Sequence, residues 1–503
     1  MAVTIFDRVS KWFGKGDNGD NKKRDGEPFF MYLSVIIAYL TAFVSGTSIS
    51  WTSPVIPKFK TDENPFNHTV STTQTAMLTS FLPLGAITGP ILAGYIADRY
   101  GRKFTMMLLG FPSMIGFCIL GFAKFIELWY LARFLLGIGV GCFFAITPMY
   151  VAEISQNHNR AKFGVLFGVF ITLGLFWPFS LGAHLVIPLF AMTCNIPIVV
   201  FLIVFGIWMP ETPIFLISKG KIKEAENALV KLRKKKPVEV QDEINEVLAG
   251  MEKQNQGQGG FKELITTQPS QRALVICIGL VLLQELSGIH PIMAYLKPIF
   301  QASGTKISPD LSTVIFGLSQ ISSNFITALI VERIGRRVLY IVSGIGCGIS
   351  CGILGTFFFF QKIGADVEVV YWIPLTCMVA YMIFFSCGLG PLAWSIVGEI
   401  FPAHVKGIGS GVTVCISFTA SFIVLMTFPI ISEALSMAAP FWGYTIVIVL
   451  GLIFVYFMVP ETRGMTLAQI QETLLMKTDK KARRDVEGVD NPAASMESVT
   501  TYF

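Results

Sequence analysis

The stretch Gln284–Tyr295 (QELSGIHPIMAY) places polar and ionisable groups inside a long apolar run. Glu285 and His290 can ionise. Gly288 has no side chain and Pro291 lacks a backbone donor, so both disfavour a continuous helix. A helix that crosses lipid carries such groups only where they face protein or a water-filled path. The stretch therefore predicts a binding site for a polar solute in the middle of a membrane transporter.

The composition indicates an integral membrane protein. Of the 503 residues, 53% are hydrophobic and 14% are charged, whereas soluble domains carry about 25% charged residues. The net charge of +6 does not indicate a nucleic-acid partner, because the basic residues cluster in particular loops. The nine cysteines lie in apolar runs, so we expect them to form neither disulfides nor a metal site.

Apolar segments long enough to cross a bilayer recur in two groups of six. The first group covers residues 30–53, 75–97, 105–123, 127–151, 162–184 and 189–209. The second group covers residues 272–297, 310–331, 338–360, 371–397, 406–431 and 440–459. The sequence thus predicts an all-α membrane protein with 12 transmembrane helices in two six-helix bundles.

Basic residues in the connecting loops predict the orientation of the chain. Arg102 follows the second span, Lys231–Lys236 precedes the seventh, and Arg336 follows the eighth. Because cytoplasmic loops are enriched in lysine and arginine, both termini are predicted to be cytoplasmic. Asn67 begins a glycosylation sequon in a loop that this orientation places outside the cell.

The predicted division of the chain follows from these spans. Helical spacing of apolar residues in the polar stretch between the bundles predicts two short amphipathic helices there. The parts are a cytoplasmic tail (1–29), the N-terminal bundle (30–209), a cytoplasmic helical linker (210–271), the C-terminal bundle (272–459) and a second cytoplasmic tail (460–503).

Three features recur at matching places in the two groups of spans. Asp98–Lys103 (DRYGRK) after the second span matches Glu332–Arg337 (ERIGRR) after the eighth. Glu153 after the fourth span and Glu399 after the tenth each precede a base by seven residues. A Pro-Glu-Thr triplet ends both the sixth and the twelfth span. These matches indicate a duplicated architecture of two parallel repeats.

The repeated charges predict a gating network at the cytoplasmic face. Acids and bases at the ends of neighbouring helices can pair across the two bundles and hold the inner face closed until the bundles rock. The alternative, that the charges only satisfy positive-inside topology, explains the bases but not the repeated acids. The predicted network consists of Asp98, Arg99, Arg102, Arg133, Glu153, Arg160, Glu211, Glu332, Arg333, Arg336, Arg337, Glu399, Lys406, Glu461 and Arg463.

Eight motifs follow one another along the chain in a specific order. They are GYIADRYGRK from Gly94, ARFLLGIGVG around Arg133, PMYVAEIS from Pro148, PETP from Pro210, QELSG from Gln284, VERIGRR from Val331, GLGPLAWSIVGEIFP from Gly388 and VPETRG from Val459. In this order they resemble the sugar porters of the major facilitator superfamily. Two further stretches, WTSPVIPKF and FSCGLGPLAW, are similar to those of insect facilitated trehalose transporters. The resemblance implies a major facilitator fold with a sugar site between the bundles that opens to alternating sides.

The resemblance also implies roles for residues of the second bundle. Gln284 matches a sugar-binding glutamine, Tyr295 an aromatic gate, and Trp394 a tryptophan that lines the site. Amides donate to and accept from adjacent hydroxyls, and an aromatic face packs on the C–H surface of a sugar. The predicted substrate-binding set is Gln284, Glu285, His290, Tyr295, Gln320 and Trp394.

Several positions depart from the family's pattern. Glu285 stands where the family usually has a second glutamine, and His290 where it has asparagine. Gln320 replaces an asparagine of the eighth span, while Ser417 and Phe418 stand where an Asn-Trp pair is common. The transport machinery is thus well matched, whereas the pocket differs from a standard glucose pocket.

Three interpretations of Glu285 and His290 remain open. Glu285 is protonated or hydrogen-bonded and serves as an amide-like partner to a sugar hydroxyl. Alternatively, the break at Gly288 and Pro291 brings the two residues together as a proton-responsive pair. In the third interpretation both are structural. The first span contains no acidic residue, whereas proton-linked sugar porters resemble one another in having an aspartate there, which favours facilitated diffusion.

The predicted function is facilitated diffusion (uniport) of a hexose or trehalose by alternating access. A proton-coupled sugar or polyol porter and a non-transporting sugar sensor are the alternatives. No Ser-His-Asp constellation, phosphate loop or cluster of metal ligands predicts an enzyme, a cofactor or a metal site. The expected partners are a small sugar and the lipid bilayer, and the expected location is the plasma membrane.

Overall fold

The computed structural model describes residues 29–156, 159–254, 261–330, 335–402 and 405–461. Within these ranges the chain is helical and forms no strand, so the prediction of an all-helical chain is confirmed. The first half contains α1 (Phe29–Ser50), α2 (Thr72–Tyr100), α3 (Arg102–Phe122), α4 (Ile126–Ile154), α5 (Arg160–Leu181) and α6 (Ile187–Trp208). The second half contains α7 (Gln268–Leu286), α8 (Ile289–Ser303), α9 (Pro309–Ile330), α10 (Arg336–Lys362), α11 (Ile373–Phe384), α12 (Gly390–Ile400), α13 (Lys406–Ala434) and α14 (Ala438–Met458).

The helices account for the predicted membrane spans. Eleven helical segments of the described chain are long and apolar enough to cross a membrane. They match every predicted span except the eighth, which forms the 22-residue helix α9. This helix carries the buried polar residues Ser312, Gln320 and Ser323, so a polar side of α9 faces the protein.

Each half packs as a bundle around its own apolar core. In the first half α2 lies along α4, while α1 lies along α5. The helices α2 and α4 approach closely at Gly85 and Gly137, where an added Cβ would overlap the backbone of the other helix. The two halves meet where α2 runs along α13 and α5 runs along α9.

The antiparallel order of the helices creates two faces. We define the basic face as the end of the bundle where α3 and α10 begin, and the distal face as the opposite end. At the distal face, the chain after α1 forms a short helix, Thr52–Val55, and a 3₁₀ turn, Ile56–Lys60. Phe59 of this turn packs on Trp129, and Lys58 Nζ donates to the carbonyl oxygen of Leu185 at 2.5 Å. The segment therefore covers the distal end of the first half.

The described part of the polar stretch between the halves contains the α-helices Pro213–Ser218, Ile222–Arg233, Gln241–Gln254 and Phe261–Thr266 and a 3₁₀ turn, Pro237–Val240. The second and third of these correspond to the two predicted amphipathic helices. The Arg233 side chain donates to the carbonyl of Ile154 at 2.7 Å and pairs with Glu243 at 2.7 Å. These contacts hold the linker against the basic end of α4.

Candidate functional site

The seventh span is broken between α7 and α8. Gly288 stands at the break with φ +95°, a left-handed conformation that favours glycine. An added Cβ would overlap the Tyr444 ring, so the close packing also requires glycine. Tyr381 braces the break from α11, since its hydroxyl donates to the Ser287 carbonyl at 3.2 Å. The break turns the end of α7 toward the first turn of α8.

Glu285 and His290 meet across this break. His290 Nε2 lies 2.7 Å from Glu285 Oε2, which is the contact that one of the three open interpretations required. The other carboxylate oxygen, Oε1, accepts a hydrogen bond from Ser417 Oγ of α13 at 2.6 Å. Each oxygen of the buried carboxylate therefore has a protein group against it, His290 at Oε2 and Ser417 at Oε1.

Two amide side chains present unpaired acceptors. Gln284 is 9% exposed and Gln320 is 5% exposed. The Oε1 atom of each lacks a hydrogen-bond partner in the described part of the chain. A buried polar atom without a partner costs about 1–3 kcal/mol. These oxygens therefore suit a ligand that brings hydroxyl donors.

Tyr295 links the two halves. Its hydroxyl contacts Thr79 Oγ1 of α2 and donates to the Leu425 carbonyl of α13 at 3.3 Å. Its ring packs against Phe428, with the ring centroids 5.2 Å apart. The backbone of Tyr295 leaves the helical region at φ −117° and ψ 19°, so α8 is kinked at this residue. The predicted gate residue is thus buried between α2 and α13.

Other contacts join α8 to the first half near the distal face. Thr52 Oγ1 donates to the Ala294 carbonyl at 3.2 Å. The backbone N–H of Lys297 donates to Ser53 Oγ at 3.0 Å. Both partners in the first half belong to the short helix that follows α1. The two halves are therefore bonded to each other at the distal side of the Glu285 site.

Trp394 lies on α12 and is 38% exposed. It is therefore less enclosed than the other predicted substrate-binding residues, all of which are at least partly buried. Sequence reasoning missed two supporting residues, Thr79 and Tyr381. Each makes its polar contact with a segment distant in the sequence, which no local pattern signals.

The structure places Arg133 outside the predicted cytoplasmic network, so this assignment is wrong. Arg133 is 1% exposed and lies in the distal part of α4, far along the helix from its basic end at Ile154. Its Nη1 donates to the Ser48 carbonyl at 2.5 Å and its Nε to the Leu78 carbonyl at 3.1 Å. It therefore ties α4 to α1 and α2.

At the basic face, Glu211 caps the start of α3. Its carboxylate accepts from the backbone N–H groups of Arg102 and Lys103, each at 3.0 Å. Arg102 Nε pairs with Glu153 of α4 at 3.0 Å. Gly101 has φ +104°, and an added Cβ would overlap the Glu211 carboxylate. We call this arrangement the bracket of the first half; it satisfies free N–H groups at a helix N-terminus, where a negative charge is favourable.

The second half repeats the bracket. Glu461 accepts from the backbone N–H groups of Arg336 at 3.0 Å and Arg337 at 3.1 Å. The Arg336 guanidinium contacts Glu399. An added Cβ at Gly335 would lie 2.7 Å from the Glu461 carboxylate, although its φ of −57° is ordinary. Here the glycine provides space for the carboxylate and not an unusual backbone angle.

The described ion pairs of the network form within each half, not across the two halves as predicted. Arg102 pairs with Glu153, and Arg336 pairs with Glu399, in each case with an acid of the same half. The capping carboxylates, Glu211 and Glu461, likewise lie beside a helix start of their own half. Three members of the predicted network, Glu332, Arg333 and Arg463, lie outside the described residues.

The remaining predicted residues are at the surface. Asp98 lies 4.0 Å from Arg102, Arg99 contacts the Tyr95 hydroxyl, and Arg160 donates to the carbonyl of Ala152. Lys406 is exposed at the first residue of α13, and Asn67 is exposed in the loop between α1 and α2.

Comparisons with known proteins agree with this fold. Residues 30–474 match the family model described as sugar (and other) transporter. The facilitated trehalose transporter Tret1 of Bombyx mori is 30% identical over 475 residues, which cover 93% of this chain and 91% of the relative. Tret1 of Apis mellifera ligustica is 31% identical over 446 residues, which cover 87% of each chain.

Among solved structures, the xylose transporter XylE from E. coli in a partially occluded inward-open conformation matches with a TM-score of 0.73 at 22% identity. This match covers 87% of the chain and 99% of XylE. XylE bound to 6-bromo-6-deoxy-D-glucose matches with a TM-score of 0.69 at 23% identity, over 89% of the chain and 100% of XylE. At these identities the likeness establishes the fold, and the predicted major facilitator architecture is confirmed. On the family match, the chain belongs to the sugar (and other) transporter family.

Proposed function

We propose that this chain is a uniporter that carries a neutral hexose or trehalose through the plasma membrane by alternating access. The observation that carries the proposal is that the buried amide oxygens of Gln284 and Gln320 have no hydrogen-bond partner in the described part of the chain. A polyhydroxylated solute supplies the donors that these oxygens lack. The transporters among its relatives support a transport role and not an enzymatic one.

The substrate class follows from the chemistry of the site. Gln284 and Gln320 can each donate and accept toward adjacent hydroxyls, whereas the Glu285 carboxylate only accepts while it is ionised. The relatives from Bombyx mori and Apis mellifera are named as trehalose transporters, and one matching structure of XylE holds a substituted glucose. These names support a sugar over another polar solute.

The uniport mechanism is supported by the surroundings of Arg133. The helix α1 contains no acidic residue, and Arg133 donates to backbone carbonyls of α1 and α2. The helix α1 therefore provides no carboxylate next to Arg133 that could couple transport to protons. The relatives' description as facilitated transporters agrees with this arrangement.

Alternating access is supported by how the halves are joined. The contacts of Tyr295, Thr52 and Ser53 hold the distal side closed, while the brackets of the basic face connect helices within one half. Each half can therefore move as a unit during exchange between states. In this proposal the basic face is cytoplasmic, both termini are cytoplasmic, and Asn67 is glycosylated outside the cell.

The test is uptake into proteoliposomes that contain the purified protein. Labelled glucose and labelled trehalose are supplied outside, with and without an imposed pH gradient, and sorbitol serves as the polyol control. We expect a sugar to equilibrate across the membrane without accumulating, whatever the pH gradient.

The alternatives give different results in the same assay. Accumulation driven by the pH gradient, and abolished by Glu285→Gln, would establish the proton-coupled porter that the contact between Glu285 and His290 also permits. Transport of sorbitol in preference to both sugars would establish a polyol porter. Sugar binding without flux in either direction would establish a sensor.

A further inference from the structure

The Glu285–His290 pair places an acid and a base in contact where the resemblance leads one to expect two amides. The carboxylate is 3% exposed. His290 is the basic side chain in contact with it within the described residues, at 2.7 Å. An ionised carboxylate in such a site is unfavourable unless a counter-charge lies beside it. The pair therefore controls the net charge that a bound solute meets.

One proton is enough to keep this pair neutral. If His290 holds the proton, the site contains an imidazolium and a carboxylate; if Glu285 holds it, both groups are uncharged. Either arrangement has zero net charge. Ser417 adds a hydrogen bond to Oε1 without changing that charge. A neutral solute then enters without bringing or removing an ion.

The geometry places a further acceptor next to the pair. Gln284, which precedes Glu285 on α7, has an amide oxygen without a hydrogen-bond partner in the described part of the chain. A group of acceptors beside an unbalanced carboxylate would bind an ammonium group better than a hydroxyl. His290, as the counter-charge, opposes such a ligand.

We propose that His290 determines the charge selectivity of the site: paired with Glu285, it makes the transporter accept neutral sugars and exclude protonated amino sugars. This inference rests on the proposed function, because it concerns the same binding site. Replacing His290 by asparagine, the residue usual in the family, leaves the carboxylate unbalanced. The site then favours a cation.

The test compares glucose with glucosamine at mildly acidic pH, where the amine of glucosamine is protonated. N-acetylglucosamine, which carries an uncharged group at the same position, is the ligand control. Uptake into proteoliposomes and binding to the detergent-solubilised protein are both measured for the wild type, His290→Asn, Glu285→Gln/His290→Asn and Ser417→Ala. We expect His290→Asn to raise the ratio of glucosamine to glucose binding about tenfold and to leave N-acetylglucosamine unfavoured.

The other two variants separate charge from structure. The double variant removes both charges, so its ratio returns to the wild-type value. Ser417→Ala removes a hydrogen bond to the carboxylate without changing the net charge, so it weakens both ligands alike and keeps the ratio. An unchanged ratio in a folded His290→Asn protein, or an equal rise in the double variant, would overturn the role of His290.

Further outcomes test the role of His290 separately from folding and from transport. If His290→Asn does not fold, Glu285→Gln alone leaves the histidine without its carboxylate, and we expect glucosamine to bind more weakly relative to glucose than in the wild type; an unchanged ratio contradicts the proposal. A wild type that binds glucose without transporting it overturns the uniporter but not the selectivity, which the binding ratios test alone. Binding of neither glucose nor glucosamine by any variant contradicts both.

Discussion

The first span of each half shows how the two repeats differ. The polar side chains of α1 find partners within the protein: Ser45 Oγ donates to the Thr41 carbonyl at 2.9 Å, Ser48 Oγ donates to the Val44 carbonyl at 2.8 Å, and Ser50 Oγ reaches the Leu175 carbonyl at 2.9 Å. In the seventh span, by contrast, the buried oxygen of Gln284 has no partner in the described chain. Polar groups that are satisfied within the protein belong to the scaffold, whereas unsatisfied buried groups suit a ligand.

At the basic face, the two halves are alike. There the same bracket occurs twice, with Glu211 and Glu461 each capping the helix start that follows a glycine. The duplication has therefore kept the parts that hold helix ends together. The binding chemistry described above lies in the second half.

The variant Gln284→Ala tests most directly whether the seventh span, unlike α1, contributes polar groups to the binding site. We expect it to lower sugar affinity about tenfold, because hydrogen bonds to substrate hydroxyls are lost. Ser48→Ala in α1 is the matched control, since it removes only a bond to the same helix and uptake should stay within about twofold of the wild type. Equal losses in the two variants, measured as initial rates of uptake against sugar concentration, would show that both first spans contribute to the site.

The two bracket glycines are predicted to differ in sensitivity. Gly101→Ala should lower the free energy of unfolding by about 2–3 kcal/mol, because φ +104° with ψ 164° is open almost only to glycine. Gly335→Ala should lower it by about 1 kcal/mol, since its φ is ordinary and the Glu461 side chain can shift. Thermal unfolding of the purified variants in detergent measures both. A larger loss at Gly335 would mean that the second bracket is the more rigid one.

The capping carboxylates should be nearly equivalent. Glu211→Gln and Glu461→Gln each remove a charge that accepts two backbone N–H groups, so each should lower stability by about 1–2 kcal/mol. The brackets belong to different halves, so the two losses should add in the double variant. Unfolding of single and double variants gives the coupling, and a strongly non-additive result would show that the two brackets interact.

Much of the fold was predictable because long apolar spans, basic loops and repeated motifs are local features of the sequence. Gly288 and Pro291 disfavour a continuous helix, and the seventh span is indeed broken between Leu286 and Ile289. That the break brings Glu285 to His290 was one of three open interpretations, and only the structure selects it.

Contacts between distant segments were not predictable in this way. Arg133 was assigned to the basic face because it is charged, like the other residues of the predicted network. Its position near the start of α4 places it in the distal part of that helix instead. Ion pairs between the two halves were also predicted, whereas the described ion pairs lie within each half. A single sequence shows which residues are charged but not which oppositely charged residue each one contacts. Thr79 belongs to none of the motifs, and only the structure shows that its hydroxyl contacts that of Tyr295 on α8.

The smallest expected effect concerns the contact between Tyr295 and Thr79, which is one of several that join the two bundles. Tyr295→Phe removes the hydroxyl but keeps the ring against Phe428, so we expect a loss of about 1 kcal/mol from the distal-closed state. The population that is open at the distal side should rise about fivefold, since 1.4 kcal/mol corresponds to a factor of ten. Labelling from the distal side of a single cysteine at Ser417, beside Glu285 and below the distal closure, measures this population in a background without the nine native cysteines. Thr79→Val in the same background removes the other hydroxyl of the contact and should raise labelling to a similar extent. If neither variant changes labelling, the Tyr295–Thr79 contact does not set the equilibrium, and the closure depends on apolar packing and on the bonds of Thr52 and Ser53.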